Sequence, residues 1–209
     1  MIVDALTVGP LQVNCFIVAN RQTRDAMVVD PGDEGQRILD RISEAGLNLK
    51  MIVNTHGHFD HIGANRLLVQ ETGAPLLIHK DDLPLMKNSV QHAAVYGLNT
   101  TKSPEPDRVL EGGEILSLGE LHFTVVHIPG HSPGGICLYG EGHLFAGDVL
   151  FAGSIGRTDL PGGDHEALIE GIRSKLLVLP ENTVVHTGHG PDTTIGREKR
   201  SNPFVGTGI

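Results

Sequence analysis

The chain has 209 residues and a formal net charge of −9, with 25 acidic side chains against 16 lysines and arginines. That length suits one ordinary domain, and a composition 39% hydrophobic and 20% charged is that of a folded chain rather than a disordered one. The acidic balance argues against a broad phosphate-binding face, and no apolar run reaches the roughly 18 residues of a membrane span.

The start, MIVDALTVG, has neither the basic stretch nor the long apolar run of a secretion signal. Two cysteines, Cys15 and Cys137, make no disulfide framework, and a cytoplasmic location is the expectation. Short Val- and Ile-rich runs at 2–8, 14–19 and 26–30 predict strands. Residues 35–46 carry Ile38, Leu39, Ile42 and Ala45 at helical spacing, with Gly46 as a stop. A buried strand at 51–53 leads into VNTHGHFDHIGA. Residues 62–72 and 80–87 read as helices, with an extended PLLIH between them. The polar stretch from 88 to 107, with two prolines, reads as a loop. Strands follow at 114–118, 121–127, 135–140 and 143–147, then a glycine-rich loop, a helix over 165–178 and a last strand in TVVHT. Strands joined by short turns predict antiparallel or mixed sheets in an α/β (α+β) chain, organised as one domain over 1–209.

Twelve histidines and 27 glycines stand out. His56, His58, Asp60 and His61 place four metal-ligand types in six residues. On an extended chain His56, His58 and Asp60 could share a face, but adjacent His61 could not. A turn wrapped around more than one ion accommodates all four. Three later segments have the same grammar: VVHIPGHS, HLFAGDVLF and NTVVHTGHGP each run from an apolar strand into glycine beside a ligand-type residue. Strand ends are where scaffolds commonly present functional groups, so all four segments are expected to meet at one sheet edge. His131, Asp148 and His189 complete a set of seven candidate ligands. A closed structural zinc needs four, usually including cysteine, so two ions sharing a carboxylate fit better. Mixed imidazole and carboxylate ligation suits zinc, and also iron or manganese. His79, His92, His122, His127, His143, His165 and His186 take the ordinary reading of core or surface groups.

THGHFDH resembles the T-H-x-H-x-D-H signature of the metallo-β-lactamase superfamily, and PGHSPGG, FAGDVLF and TGHGP resemble its later motifs in order. GSIGRTDLPGGD and TTIGREKRSNPF point to the glyoxalase II-like hydrolases of the short bacterial type. The resemblance implies a four-layer αββα sandwich with two mixed β-sheets and two divalent metal ions, zinc before iron or manganese. It implies that His56, His58 and His131 hold one ion, that Asp60, His61 and His189 hold the other, and that Asp148 bridges them. Asp30, in VDPG, either supports a ligand or simply forms a turn. Only 20 residues follow His189, so no counterpart is expected here to the C-terminal helical domain that helps full-length glyoxalase II enzymes bind glutathione.

The implied chemistry is hydrolysis of a small-molecule thioester, such as S-lactoylglutathione, by a metal-bridging hydroxide. Asp60 and Asp148 are the catalytic carboxylates, with Asp60 also orienting the hydroxide. A thiolate leaves without strong acid catalysis because its pKa is only about 8.5. Arg157 is the first candidate for an anionic substrate group, followed by Arg197, Lys199 and Arg200 in the tail. Tyr96 could line the site. Neither nucleic acid nor membrane is an expected partner. The alternatives are a mononuclear-iron persulfide dioxygenase, which shares the GRTD stretch, and a non-catalytic metal-binding domain of the same fold.

Overall fold

The computed structural model describes residues 1–208. The first sheet takes its strands in chain order: β1 (Ile2–Val8), β2 (Val13–Ala19), β3 (Asp25–Val29), β4 (Asn48–Val53), β5 (Leu76–His79) and β6 (Arg108–Leu110). β1, β2 and β3 pair antiparallel, and β3 to β6 pair parallel. The second sheet holds β7 (Ile115–Leu118), β8 (Leu121–His127), β9 (Ile136–Gly140) and β10 (His143–Gly147). The hairpin of β11 (Leu150–Phe151) and β12 (Ser154–Ile155) follows β10. β13 (Val184–Thr187) then pairs parallel to β10, and β14 (Thr193–Thr194) closes the edge. Both sheets are therefore mixed, as expected.

Three apolar layers hold four layers of structure together. β2 shows why: all seven of its residues are buried, because each face of the strand has a different neighbour. Cys15 and Ile17 face a cluster with Ile38 and Ile42 of α1 (Gly35–Glu44) and Leu68 of α3 (Asn65–Thr72). Phe16 and Val18 face the opposite way, into a cluster with Leu116, Phe123, Leu138 and Phe145 of the second sheet. Beyond that sheet, Cys137, Leu144 and Val185 pack on Leu168, Ile172, Leu176 and Ile195. A strand buried on both faces reads as a continuous apolar run, which is how VNCFIVA appears in the sequence. The result is the αββα sandwich, with both cysteines buried as free thiols.

Several boundaries differ from the sequence reading. α2 (Phe59–Ile62) is a separate single turn before α3. Residues 80–82 form a tight 3₁₀ turn before α4 (Leu83–Lys87). The stretch from 88 to 107 is not all loop, since α5 (Ser89–Val95) lies in it. It buries only Ser89 and Ala93, so no apolar stripe marks it in the sequence. α6 (His165–Gly171) is capped by the Asp164 carboxylate, which accepts from the Ala167 N–H at 3.0 Å, and it continues into a π-helical turn over Ile172–Leu176. α7 (Ile195–Ser201), capped by Thr194, was not anticipated. No helix of the described residues is long and apolar enough to cross a membrane.

Candidate metal centre

The ends of β4, β8, β10 and β13 meet at one edge of the sandwich. His56 and His58 lie on the turn after β4, Asp60 and His61 lie in α2, and His131, Asp148 and His189 follow the three other strands. The approach is close enough to require glycine. A β-carbon on Gly188 would lie 2.2 Å from Asp148 Oδ1 and 3.0 Å from His61 Cε1.

The seven expected ligands are brought together in two groups. Ligand atoms of His56, His58 and His131 lie within 4.8 Å of one another, and so do those of Asp60, His61 and His189. Asp148 stands between. Its Oδ2 is 3.5 Å from His131 Nε2 and 3.6 Å from His189 Nε2, and its Oδ1 is 3.5 Å from His61 Nε2. Asp60 Oδ2 is 3.5 Å from His189 Nε2 and 3.8 Å from His61 Nε2. Such separations are long for hydrogen bonds. They match two donors on one tetrahedral ion, which at bond lengths of about 2.0–2.1 Å sit about 3.3 Å apart.

Fit to a metal can be tested on the atoms that have no partner. His56 Nε2, His61 Nε2 and Asp148 Oδ1 are buried and make no hydrogen bond. Burying such atoms unpaired is costly, so each calls for an explanation. The opposite ring nitrogens are occupied. His61 Nδ1 meets Asp30 Oδ2 at 3.0 Å, His131 Nδ1 meets the Arg157 carbonyl at 2.9 Å, and His189 Nδ1 meets the Leu11 carbonyl at 3.0 Å. Thr55 Oγ1 donates to Asp30 Oδ2, so it can only accept from His56 Nδ1–H, 3.1 Å away. These contacts turn the Nε2 atoms of His56, His61 and His189 into the cradle, where His131 Nε2 meets His58 Nδ1 at 3.0 Å, the arrangement expected when an outer partner orients a ligand's ring.

The electrostatics agree with that fit. Burial, and then the neighbouring imidazoles, push His56 well below its usual pKa and bring His58 down to about 3. Those rings are neutral and ready to donate. In the other group burial opposes charge on His61, but Asp148, Asp60 and Asp30 outweigh it and push the ring up to about 10. His189 is raised in the same way against burial, by Asp60 and Asp148. Burial would raise Asp60, yet His61 and His189 hold it below the usual carboxylate range. Without metal, this half of the cradle gathers protons where a cation would neutralise the carboxylates.

Asp30 serves both roles considered for it. It sits in a left-handed turn at φ 52°, and its buried carboxylate accepts from Thr55 N–H at 2.7 Å as well as from the Thr55 hydroxyl and His61. Sequence reasoning missed Asp82. Its fully buried carboxylate accepts from Gly57 N–H at 2.8 Å, Ser132 O–H at 2.8 Å and Gly134 N–H at 2.6 Å, fastening the His56–His58 turn to the His131 loop. Asn14 was missed as well. Its amide donates to the carbonyls of Thr187 at 3.0 Å and Gly190 at 2.8 Å, on either side of His189. Neither residue has a motif around it that could have signalled its role.

A cleft of about 670 Å³ opens beside the cradle, and Arg157 and Tyr96 both line it. Arg157 Nε and Nη2 donate to Asp159 at 2.7 and 2.6 Å. Arg197, Lys199 and Arg200 lie on α7, outside the cleft wall. Of the histidines read as ordinary, His92 lines the cleft. His79 stacks on His127 at 4.0 Å, and with Asp81 these form a further grouping in a different cleft.

Two facing sheets with helices outside, and a histidine–aspartate cradle at one end, define a class of metal-binding hydrolase folds. The sequence profile of the metallo-beta-lactamase superfamily matches residues 8–189, and the chain belongs to that superfamily. The chain is 42% identical over 209 residues to the hydroxyacylglutathione hydrolase GloC of Haemophilus influenzae, covering 98% of each. It is similar to the crystal structure of TTHA1623 in a di-iron-bound form, with a TM-score of 0.90 and 44% identity over 97% of this chain and 100% of that one. The crystal structure of BLEG-1 B3 metallo-beta-lactamase superposes with a TM-score of 0.92, at 38% identity over 98% and 99% of the two chains.

Proposed function

We propose that this chain is a metal-dependent hydrolase of thioesters, of the hydroxyacylglutathione hydrolase type, working within a single metallo-β-lactamase-fold domain. The observation that carries the reading is the trio of buried, unpartnered ligand atoms, His56 Nε2, His61 Nε2 and Asp148 Oδ1, beside a cleft large enough for a small molecule. His56, His58 and His131 would hold one ion, Asp60, His61 and His189 a second, and Asp148 would reach both. Divalent ions bound there supply Lewis acidity toward a carbonyl and a water that ionises near neutral pH. Zinc suits these donors, and iron is the alternative that the di-iron neighbour supports.

The protein's own part is positioning. Asp60, kept ionised by His61 and His189, presents a carboxylate to ligate and to orient a nucleophilic water. Asp30 and Thr55 fix the tautomers of His61 and His56. Apolar side chains line the cleft beside the cradle, and Arg157 stands in the same wall. The thiolate product departs without a proton donor. The full-length similarity to GloC supports the thioester bond as the target.

The test is metal analysis and S-lactoylglutathione hydrolysis on one preparation, with Asp148→Ala in parallel. Two ions per chain and turnover, both lost in the variant, are expected. One iron per chain with oxygen uptake on a persulfide would overturn the reading. A second reading, hydrolysis of a β-lactam amide, is favoured by the similarity to BLEG-1. Nitrocefin hydrolysis exceeding thioester hydrolysis would establish it instead.

A further inference from the structure

The cleft beside the cradle has two unlike ends. His58, Asp60, His131, Asp148 and His189 close one. Leu11, Phe59, Leu85, Val95, Tyr96 and Phe151 form much of the remaining wall. These six come from the β1–β2 turn, α2, the α4–α5 segment and β11, so separate parts of the chain converge to make one apolar surface. Tyr96 packs on Phe59 with ring centroids 5.7 Å apart. Leu11, Val95 and Tyr96 are also 41%, 82% and 51% exposed, three of the eight large hydrophobic side chains so exposed among the described residues. Single exposed apolar residues need no explanation, but several gathered at one mouth mark a binding surface.

The cleft wall holds little fixed positive charge with which to meet an anionic carrier. Arg157 is the one lysine or arginine in the wall, and its guanidinium already makes a two-pronged pair with Asp159. Arg200, on α7, is paired with Glu181 at 2.7 Å. A glutathione carrier brings two carboxylates, which a selective site would meet with fixed, unpaired donors. The wall offers apolar area in their place.

We propose that this cleft selects substrates by an apolar acyl chain, so that medium-chain acyl thioesters are hydrolysed faster than those of short hydroxy acids. The thiol carrier contributes little to recognition. This inference rests on the thioester-hydrolase reading and specifies the substrate class of the same site. Each methylene taken from water into the cleft strengthens transition-state binding about three- to fourfold, until the apolar wall is covered.

The experiment uses metal-loaded full-length protein and two matched series. Acetyl, butyryl and hexanoyl thioesters are made on glutathione and on the neutral thiol N-acetylcysteamine. kcat/KM is expected to rise roughly a hundredfold or more from acetyl to hexanoyl. The two carriers should agree within about threefold, and V95D and Y96A should each flatten the chain-length slope. A flat slope, or a tenfold or greater advantage for glutathione, would overturn the proposal. Binding of S-methyl and S-hexyl thioethers of N-acetylcysteamine, measured by calorimetry, gives a readout without turnover. If no thioester is cleaved, the hydrolase reading fails. If the S-hexyl thioether then binds no more tightly than the S-methyl one, the apolar-chain proposal fails separately.

Discussion

Asp82 should matter to this protein as much as a large buried core side chain. Its carboxylate is fully buried and receives three hydrogen bonds at 2.6–2.8 Å, from Gly57, Ser132 and Gly134. Hydrogen bonds to a charged acceptor contribute about 1.5–3 kcal/mol each, so three would total roughly 4.5–9 kcal/mol. Burial works against that sum: it holds the Asp82 pKa above the ordinary value despite the three donors. A carboxyl raised in the folded state favours folding fully below the unfolded pKa, and that contribution is lost as pH rises through the folded value. At neutral pH the net loss in Asp82→Ala should therefore fall below the sum, at about 3–5 kcal/mol. At about 2–4 °C per kcal/mol for a chain of this size, the melting temperature should drop by roughly 6–20 °C.

The same substitution should reach the metal unequally. Gly57 lies between His56 and His58, and Ser132 follows His131 directly, so loosening Asp82 frees all three imidazoles of one group together. The other group hangs on Asp30, Leu11 and Asn14 and keeps those supports. Calorimetric melting of metal-free protein, with metal titration on the same samples, separates the two effects. A melting shift under about 2 °C, or equal weakening of both metal-binding steps, would refute the assignment of Asp82 as a clamp on one group.

Three further outcomes follow from the cradle. Stability of chelated protein should peak near pH 6.5: the contribution of His58, lowered to about 3, is lost as pH falls, and that of His61, raised to about 10, is lost as pH rises. Urea midpoints that climb steadily from pH 7 to 9 would contradict the His61 direction. Gly188→Ala forces a methyl group against Asp148 Oδ1, so it should lose metal by elemental analysis and cost about 1–3 kcal/mol in a urea melt. Asn14→Ala removes the donor to the Thr187 and Gly190 carbonyls, and should cost about 1–3 kcal/mol while weakening mainly the metal step that uses His189.

Legibility in the sequence followed the kind of residue involved. The seven candidate ligands could be read because four ligand types crowd into HGHFDH and three later segments end an apolar strand in glycine beside histidine or aspartate. β2 and α1 could be read because burial imposes a period or a continuous apolar run. α5 and α7 bury too few apolar side chains to leave either mark. Asp82 and Asn14 were illegible for a different reason. Each works across the fold, Asp82 on residues 25 to 52 positions away and Asn14 on residues more than 170 away. Only the sheet topology brings those partners close, and no local spacing records it.

This division bears on how such a fold can change its substrate. The proposed ligands sit on α2 and on the turns that follow β4, β8, β10 and β13, braced by buried carboxylates and amides, so altering them should disturb packing, metal and stability together. The exposed part of the apolar wall, Leu11, Val95 and Tyr96, stands on the β1–β2 turn and at the end of α5, where a side chain can be replaced without touching a strand or α2. Val95 and Tyr96 show the contrast most clearly, being 82% and 51% exposed while lining the same cleft as Asp60. Substitutions at those two positions should change which acyl chain is preferred while leaving metal content and melting temperature where they were. Parallel loss of metal in V95D would mean that the wall and the cradle are one cooperative unit rather than a variable surface set on a fixed frame.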